Sequence, residues 1–543
     1  MKTPMNTRSL RTGLPSRHFP QHHSVQTPVQ APVQALAPTE VRRHPDKPVR
    51  VMKFGGTSVG DASCIARVVE IVRAAARDSQ VVVVVSAMSG VTNQLVAAAT
   101  QSEQGQHASV TTIFEGIRER HERAIESLIH SAADREHMDS KMKKLLEDGE
   151  RFCQGTSMLR ELTLRSRDAI SGLGERLSAP LVAAALAERG VASEAIEATE
   201  LVVTDSCHGN AEPLMDQTGE RCEARLRPLL DQDIVPVVTG FIGATEEGVL
   251  TTLGRGGSDY SATIVGAALQ ADEVIIWTDV DGLQTSDPRL VDGGCTIPEL
   301  SYREASELAY FGAKVLHPKT LRAVMQCSIP LWIRNTFTPE RPGTRITPAG
   351  QPGAGAVKAV TAIHDVVLIN IGGPGMVGVQ DVLGRTLRTT AAVRADVLLI
   401  SQSSSQNDLC LVIPAAVAKI SVEALHHEFA HELAHEKAEH ITVDPTVAII
   451  AVVGQHMRGV AGAVGRACSA LDRENVSIVA IAQGSTECTF SLVVPKGDMK
   501  AALVGIHREF QLGDTAARNV AEPMAPYPCY QTLPNDNHTE QGK

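Results

Sequence analysis

Aromatic side chains are scarce in this 543-residue chain: two tryptophans, five tyrosines and ten phenylalanines make up 3% of it, although 43% of the residues are hydrophobic. No apolar run approaches the roughly 20 positions of a membrane-spanning helix, which argues against such a span. Positive charge is not in excess. Lys and Arg number 51 against 62 Asp and Glu, a net charge of −11. That balance argues against a nucleic-acid or membrane-surface binder and fits a cytosolic enzyme. The ten cysteines are scattered from Cys64 to Cys529 and form no C-x-x-C pair. Free thiols in a reducing compartment suit that spacing better than a disulfide framework or a zinc ribbon, so a cytoplasmic location is expected.

Acidic residues are missing altogether before Glu40. Residues 1–49 are rich in Pro, Gln, Thr and His and cannot bury enough apolar surface to fold alone. A disordered extension is expected, or sequence upstream of a natural start at Met52. An organellar transit peptide is the alternative, which the many prolines disfavour. At this length the chain should hold roughly two to four domains.

From Val51 strands and helices alternate. "VVVVVSAMSG" (81–90) reads as a buried strand closing in a small-residue loop, with a helix from near Thr92. Residues 107–170 are charged and helical. "IVPVVTGFIGA" and "DEVIIWTDVDG" read as buried strands flanking a helix, "GGSDYSATIVGAALQA". This is the pattern of an α/β domain with a mostly parallel sheet, whose ligands bind at the carboxyl ends of the strands. "RPGTRI" followed by "TPAGQPGAGA" marks a boundary near 347–357. Beyond it, residues 367–414 align with 448–495 at a constant shift of 81 without gaps, pairing Met376 with Met457, Gly378 with Gly459, Arg385 with Arg466, Gln402 with Gln483 and Pro414 with Pro495. One copy is too small to cover its own sheet, so two α+β modules are expected to pack together.

Several stretches carry possible chemistry. In "VMKFGGTSVGD" (51–61) Lys53 precedes its glycines, unlike the Walker P-loop. Gly55 and Gly56 would let the backbone approach an anion, Thr57 and Ser58 add hydroxyls, and Lys53 adds charge. A plain strand–turn–helix junction fits equally. "TLGRGGSDYSA" (252–262) sets Arg255, Gly256, Gly257, Ser258 and Asp259 at a helix start, where anions are favoured. Arg255 could fork onto a carboxylate or phosphate. Asp259 could orient Lys53, hold a metal on a nucleotide, or merely cap the helix. "WTDVDGLQTSDPR" (277–289) would aim Thr278, Asp279 and Asp281 at the strand-end crevice, with Arg289 nearby. "YFGAKVLHPKTL" (310–321) places Lys314 and His317 near a helix that Pro318 starts. Each of these last two, taken singly, also reads as a turn. "HHEFAHELAHE" (426–436) contains H-E-x-x-H twice. Ala434, Lys437, Ala438 and Ile441 stand where a metzincin needs Gly and His, so a solvated polar helix face is expected and no metal site.

Together, "KFGGTSV", "VVVSAMSGVTN", "GERLSAPL", "GRGGSDYSA", "WTDVDG", "TSDPR", "FGAKVLHP" and the "QSSSQ"/"QGSTE" pair resemble aspartate kinases of the amino acid kinase superfamily, in the right order from about Val51 to about Val494. The repeats resemble tandem ACT domains. Their wording is most similar to the threonine-sensitive aspartokinase half of aspartokinase–homoserine dehydrogenases, here without the dehydrogenase. The resemblance implies an amino acid kinase domain over 50–347, two ferredoxin-like ACT domains over 358–520 and a flexible tail, 521–543. It implies ATP-dependent phosphorylation of the L-aspartate side chain, with Mg2+ on the ATP, as the first step towards threonine, methionine and lysine.

On that resemblance Lys53 contacts the transferred phosphoryl group, Lys314 neutralises the phosphates from the other side, and Asp259 holds the lysine arrangement. Gly55, Gly56, Thr278, Asp279, Gln284, Arg289 and Val315 belong to the ATP pocket. Arg255 clamps a substrate carboxylate, Glu175 pairs the ammonium, and Ser86, Thr92, Gly256, Gly257 and Ser258 complete the amino-acid site. Gln402, Asn475 and Gln483 mark the effector site, with threonine expected rather than lysine, and ACT pairing implies at least a dimer. Gln284 stands where the family often has an aromatic residue, and Gln406 replaces a common glutamate. A non-catalytic amino-acid sensor of the same fold would be expected to have lost a charge among Lys53, Arg255, Asp259 and Lys314, and all four are present.

Overall fold

The computed structural model describes residues 47–312, 316–350, 357–373, 381–402, 408–435, 440–455, 457, 462–484 and 488–513. Lys314, Val315 and Gln406, the extension before Lys47 and the tail lie outside them.

The first part is built on β1 (Val49–Phe54), β2 (Gln80–Val85), β3 (Ser193–Ile196), β4 (Val235–Thr239), β5 (Ile242–Ala244), β6 (Leu250–Thr252), β7 (Glu273–Thr278), β8 (Glu299–Ser301), β9 (Leu331–Asn335) and β10 (Thr344–Thr347). Eight of them form one sheet in the order β3-β4-β2-β1-β7-β9-β10-β8. Its pairings are parallel except that β10 runs antiparallel to β9. The valine run of β2 explains the layering. Val81, Val83 and Val85 enter one core, while Val82 and Val84 enter another on the opposite face, as alternation along a strand buried on both faces requires. Helices Ala62–Ala75, His107–Leu128, Ala132–Leu159 and Leu173–Glu188 cover the first face, and Gly257–Ala268 and Pro318–Cys327 cover the second. The run "IVPVVTGFIGA" is not one strand. It breaks after Thr239 at Gly240 and Phe241, and β5 then pairs with β6 in a small hairpin.

The second part adds β11 (Val357–Ile363), β12 (Val366–Gly372), β13 (Leu399–Gln402), β14 (Asp408–Pro414), β15 (His440–Asp444), β16 (Val447–Gly454), β17 (Ala480–Gln483) and β18 (Thr489–Pro495). They form two antiparallel sheets, β13-β14-β12-β15 and β11-β16-β18-β17. β11 precedes the first repeat in sequence but pairs with β16 of the second. The first module is therefore inserted into the second. The sheets share one core, where Val366, Leu399 and Val412 meet Ile449, Ala451 and Val493. Helices cover the outer faces through Leu425 and Phe429 on one module and Leu471, Leu503 and Ile506 on the other.

The shift of 81 extends past the aligned stretch. Arg385 donates from Nε to Glu428 Oε1 (2.7 Å) and from Nη2 to the Glu428 carbonyl (2.8 Å), with its guanidinium over Phe429. Arg466 makes the same bonds to Glu509 (2.8 and 2.6 Å), over Phe510. Arg385 also donates to Glu432. Both glutamates of the H-E-x-x-H frames are thus held by a guanidinium, and no group of three or more His, Cys, Asp or Glu that could hold a metal occurs among the described residues.

β11 also ties the second part to the first. Lys358 donates to Glu304 Oε2 (3.0 Å) and to the Glu299 carbonyl (3.4 Å). Glu304 is 0% exposed and closes the capping box of the helix Tyr302–Tyr310 with Ser301. Val360 N donates to the Thr285 carbonyl (2.8 Å), Thr285 Oγ1 and His507 Nε2 lie 3.0 Å apart, and Val291 enters the second module's core. Breaking a buried ion pair strands the remaining charge. Lys358→Met is therefore expected to cost about 3–5 kcal/mol, and Lys358→Met with Glu304→Gln to recover most of it. Denaturant unfolding of the single and double variants checks this; a single variant within about 1 kcal/mol of the parent would show that the pair is not so constrained.

Candidate active site

The carboxyl ends of β1, β2, β6 and β7 converge on a cavity of about 600 Å³. Lys53 shares a strand face with Val49 and Val51 and is 7% exposed. Its Nζ lies 2.5 Å from Asp259 Oδ1, in the first turn of the helix Gly257–Ala268. That oxygen makes no aligned hydrogen bond, so the contact is an ion pair. After β1 the chain turns sharply, with Gly55 N donating to the Trp277 carbonyl (3.1 Å). A Cβ on Gly56 would stand 3.0 Å from the Ala87 carbonyl oxygen, and one on Gly55 3.5 Å from Lys53 Nζ. Bare backbone keeps this turn compact beside the lysine. Thr57 lines the cavity. Ser58 does not: it is buried, with Oγ 2.7 Å from Thr336 Oγ1.

The rest of the cavity wall is built from three stretches of the chain. The loop after β2 and the helix Val91–Glu103 supply Ser86, Thr92 and Asn93, and the 254–259 loop supplies Gly256, Gly257 and Ser258. Gly256 has φ +68, and a Cβ there would lie 2.6 Å from the Cβ of His317. The third element is the helix Leu173–Glu188, whose first turn carries Glu175. Glu175 is 2% exposed and its Oε2 has no hydrogen-bond partner. Burial pushes its carboxyl up to about 8, against the opposing pull of backbone hydrogen bonds and of Lys53. A buried carboxyl with one oxygen unpartnered, in a cavity wall, is a natural partner for a ligand's ammonium group.

The structure thus brings Lys53, Gly55, Gly56, Ser86, Thr92, Glu175, Gly256, Gly257, Ser258, Asp259, Thr278 and Asp279 around one cavity. It does not bring all the proposed residues there. Arg255 is exposed and does not line the cavity. Gln284 bridges to Thr296, and Arg289 is exposed and paired with Asp287 (2.6 Å). Asp281 turns to the segment after β9, accepting from Asn335 (2.7 Å), Thr338 (2.8 Å) and Arg341. Against the cost of burial, these bonds hold its carboxyl below the usual carboxylate range. Gln402, Asn475 and Gln483 are exposed in the second part. Gln402 and Gln483 end β13 and β17, which lie against one another.

Phe241 lines the cavity at φ +68, a conformation rare for a bulky residue. Its N–H donates to Ser261 Oγ (2.9 Å). The sequence reading does not single it out, because it hides inside an apolar run.

The sequence model of the amino acid kinase family matches residues 48–335, more than half of the chain. The chain belongs to the amino acid kinase family. A second model, of an ACT domain, matches residues 369–429 and 450–510 of the chain. It is 34% identical over 466 residues to a bifunctional aspartokinase/homoserine dehydrogenase of Haemophilus influenzae, covering 85% of this chain and 56% of that protein. The chain spans about half the length of such bifunctional relatives. It is also 32% identical over 473 residues to aspartokinase 3, chloroplastic, of Arabidopsis thaliana, covering 86% of this chain and 82% of that one. The chain resembles the crystal structure of E. coli aspartokinase III in complex with aspartate and ADP (R-state), with a TM-score of 0.71 and 28% identity over 85% of this chain and 100% of that one. The same E. coli enzyme with lysine and aspartate (T-state) matches with a TM-score of 0.69 and 29% identity, over 85% and 99% of the two chains.

Proposed function

We propose that this kinase transfers the γ-phosphoryl group of Mg-ATP to the side-chain carboxylate of L-aspartate, giving ADP and 4-phospho-L-aspartate, and that an amino acid bound at the ACT modules inhibits it. One observation carries the reading: a single cavity is lined both by the Lys53–Asp259 pair with its glycine turns and by the buried carboxyl of Glu175, whose Oε2 has no hydrogen-bond partner. The first suits a phosphate chain and the second an amino acid. A carboxylate oxygen of aspartate attacks the γ-phosphorus in line, and the bond to the ADP oxygen breaks. Lys53 offsets the charge that spreads over the transferred group. Asp259 holds Lys53 in place, and Lys314 neutralises the phosphates from the other side. Thr278 and Asp279 belong to the nucleotide end. Glu175 takes the substrate ammonium, beside Ser86 and Thr92, and Arg255 closes from the rim onto a carboxylate.

The proposal extends to threonine rather than lysine as the effector, bound near Gln402 and Gln483. It includes an oligomer that covers Val479 and Ile481, exposed beside and on the edge strand β17, a cytoplasmic location, and the first step of threonine, methionine and lysine synthesis. Domain limits of 50–347 for the kinase and 358–520 for the ACT pair complete it. No helix among the described residues is long and apolar enough to cross a membrane. ADP release from Mg-ATP with L-aspartate tests the reading, alone and with threonine, lysine or both. Aspartate-dependent release suppressed by threonine supports all of it. Suppression by lysine alone overturns the effector, and no aspartate-dependent release overturns the reaction.

At Gly256 the demands of φ and of His317 coincide. Gly256→Ala is expected to lose roughly tenfold or more in turnover, following from about 1–3 kcal/mol of backbone strain. A variant with parental turnover and parental thermal midpoint would show that this loop is not held in the described conformation.

A further inference from the structure

Asp168 is 2% exposed and lies outside the cavity wall, yet four donors point at it. His208 Nδ1 (3.0 Å), Gly209 N (2.9 Å) and Thr252 N (3.2 Å) reach Oδ2, and Thr252 Oγ1 (2.6 Å) reaches Oδ1. Two chain segments are thereby fixed to one side chain of the helix Leu164–Ser171. One is the turn around His208. The other is the end of β6, which runs directly into the glycine loop of the cavity. The two segments also bond to each other, Ala211 N donating to the Thr252 carbonyl (2.9 Å).

That turn bears on the loop closely. Gly254 has φ +79, and a Cβ there would lie 2.7 Å from Asn210 Oδ1 and 3.2 Å from the Gly209 carbonyl. Asn210 Oδ1 in turn accepts from Lys319 Nζ (2.8 Å), on the helix whose N-cap, His317, backs Gly256. The glycine loop is therefore held between the turn and that helix, and Asp168 sets the register of the turn against β6. None of these contacts involves Thr278 or Asp279.

We propose that Asp168 is a positioning residue for the amino-acid substrate and not for the nucleotide: it fixes the Gly254–Ser258 loop, which lines the cavity together with Glu175. This rests on the reading of the cavity as an aspartate and ATP site. A carboxamide at 168 would set an NH2 group against donors that now meet an acceptor, and a valine at 252 would remove the Oγ1 bond alone.

The test compares the full-length parent with Asp168→Asn and Thr252→Val in two assays. In steady-state ADP release, the KM for L-aspartate is expected to rise roughly tenfold or more in Asp168→Asn and a few-fold in Thr252→Val, with the KM for Mg-ATP within about twofold of the parent. In limited trypsinolysis, cleavage after the exposed Arg255 is expected to accelerate relative to cleavage at other sites. An unchanged KM for L-aspartate in folded variants, or equal rises for both substrates, overturns the proposal. Should the parent release no ADP with L-aspartate, the aspartate reading fails by itself. The trypsin assay then decides the loop-fixing role, and unaltered cleavage after Arg255 in both variants overturns it. Should Asp168→Asn not fold, Thr252→Val decides.

Discussion

Replacing Lys53 with alanine is expected to lower turnover by roughly 10³-fold, in the range found when one charge-stabilising donor is removed from a transfer site. The lysine is 7% exposed, lies on a strand rather than a mobile loop, and meets Asp259 at 2.5 Å. It is therefore oriented before any substrate arrives, and a buried preorganised charge acts more strongly on a forming transition state than a solvated one. Deleting it also strands Asp259 beside the proposed phosphate site, where an uncompensated negative charge would repel a bound nucleotide. Lys53→Ala with Asp259→Asn should consequently recover part of the loss. Effector binding, measured by titration calorimetry, should be unchanged, because the proposed effector residues lie in the ACT modules. Near-parental turnover in Lys53→Ala would remove this lysine from the mechanism.

The second large effect belongs to Glu175. Burial pushes its carboxyl up to about 8 in the ligand-free protein, so it is mostly protonated at neutral pH. Binding an ammonium group favours the ionised form and so expels a proton. Aspartate affinity should then rise about tenfold per pH unit from pH 6 towards 8 and level off above it. Glu175→Gln should abolish this slope and weaken aspartate binding by roughly 30-fold or more at pH 8, as expected from about 2 kcal/mol or more for a truncated buried charge pair. Calorimetry in buffers of different ionisation enthalpy would detect the released proton. A slope unchanged by Glu175→Gln would assign the titration to another group.

Stability provides an independent check of sign. The folded-state value lies above the ordinary 4.5. The stability contributed by protonated Glu175 is therefore fully present below pH 4.5 and is lost as pH rises through about 8. Glu175→Gln should thus melt close to the parent near pH 4 and increasingly above it as pH rises towards 9, in the absence of ligand.

The strand–helix alternation of the kinase part was legible because β2 and β7 are nearly pure runs of buried aliphatic residues bounded by turn residues. The duplicated modules were legible because a gap-free shift of 81 aligns their glycines and glutamines. What stayed hidden depends on partners far along the chain. Nothing in "VTGFIGA" marks Phe241 as a break, since the positive φ is imposed by the corner between β4 and β5. Asp281 and Arg289 sit in a segment dense with polar residues, and only the fold decides that Asn335, Thr338 and Asp287 claim them. Asp168 is one acid among many in a charged helical stretch, and its four donors come from up to 84 residues away. The crossing of β11 is equally silent locally, because its alternation suits either sheet.

That crossing has a consequence for how the chain emerges from the ribosome. β11 is made roughly 90 residues before its partner β16 begins, a wait of about 5–18 s at ordinary elongation rates. During it Val357, Ala359 and Val360 have no sheet to join. The inserted module lies wholly within that interval, and its first and last strands, β12 and β15, run side by side, Leu368 opposite Asp444. Once it folds, it holds the two ends of its own segment together, and the chain leaves it with Ile363 next to the site where Ile449 must pair. The loop closure that β11 and β16 require is then already made. The inserted module is the splint on which the second is set, so melting the first should open the second as well.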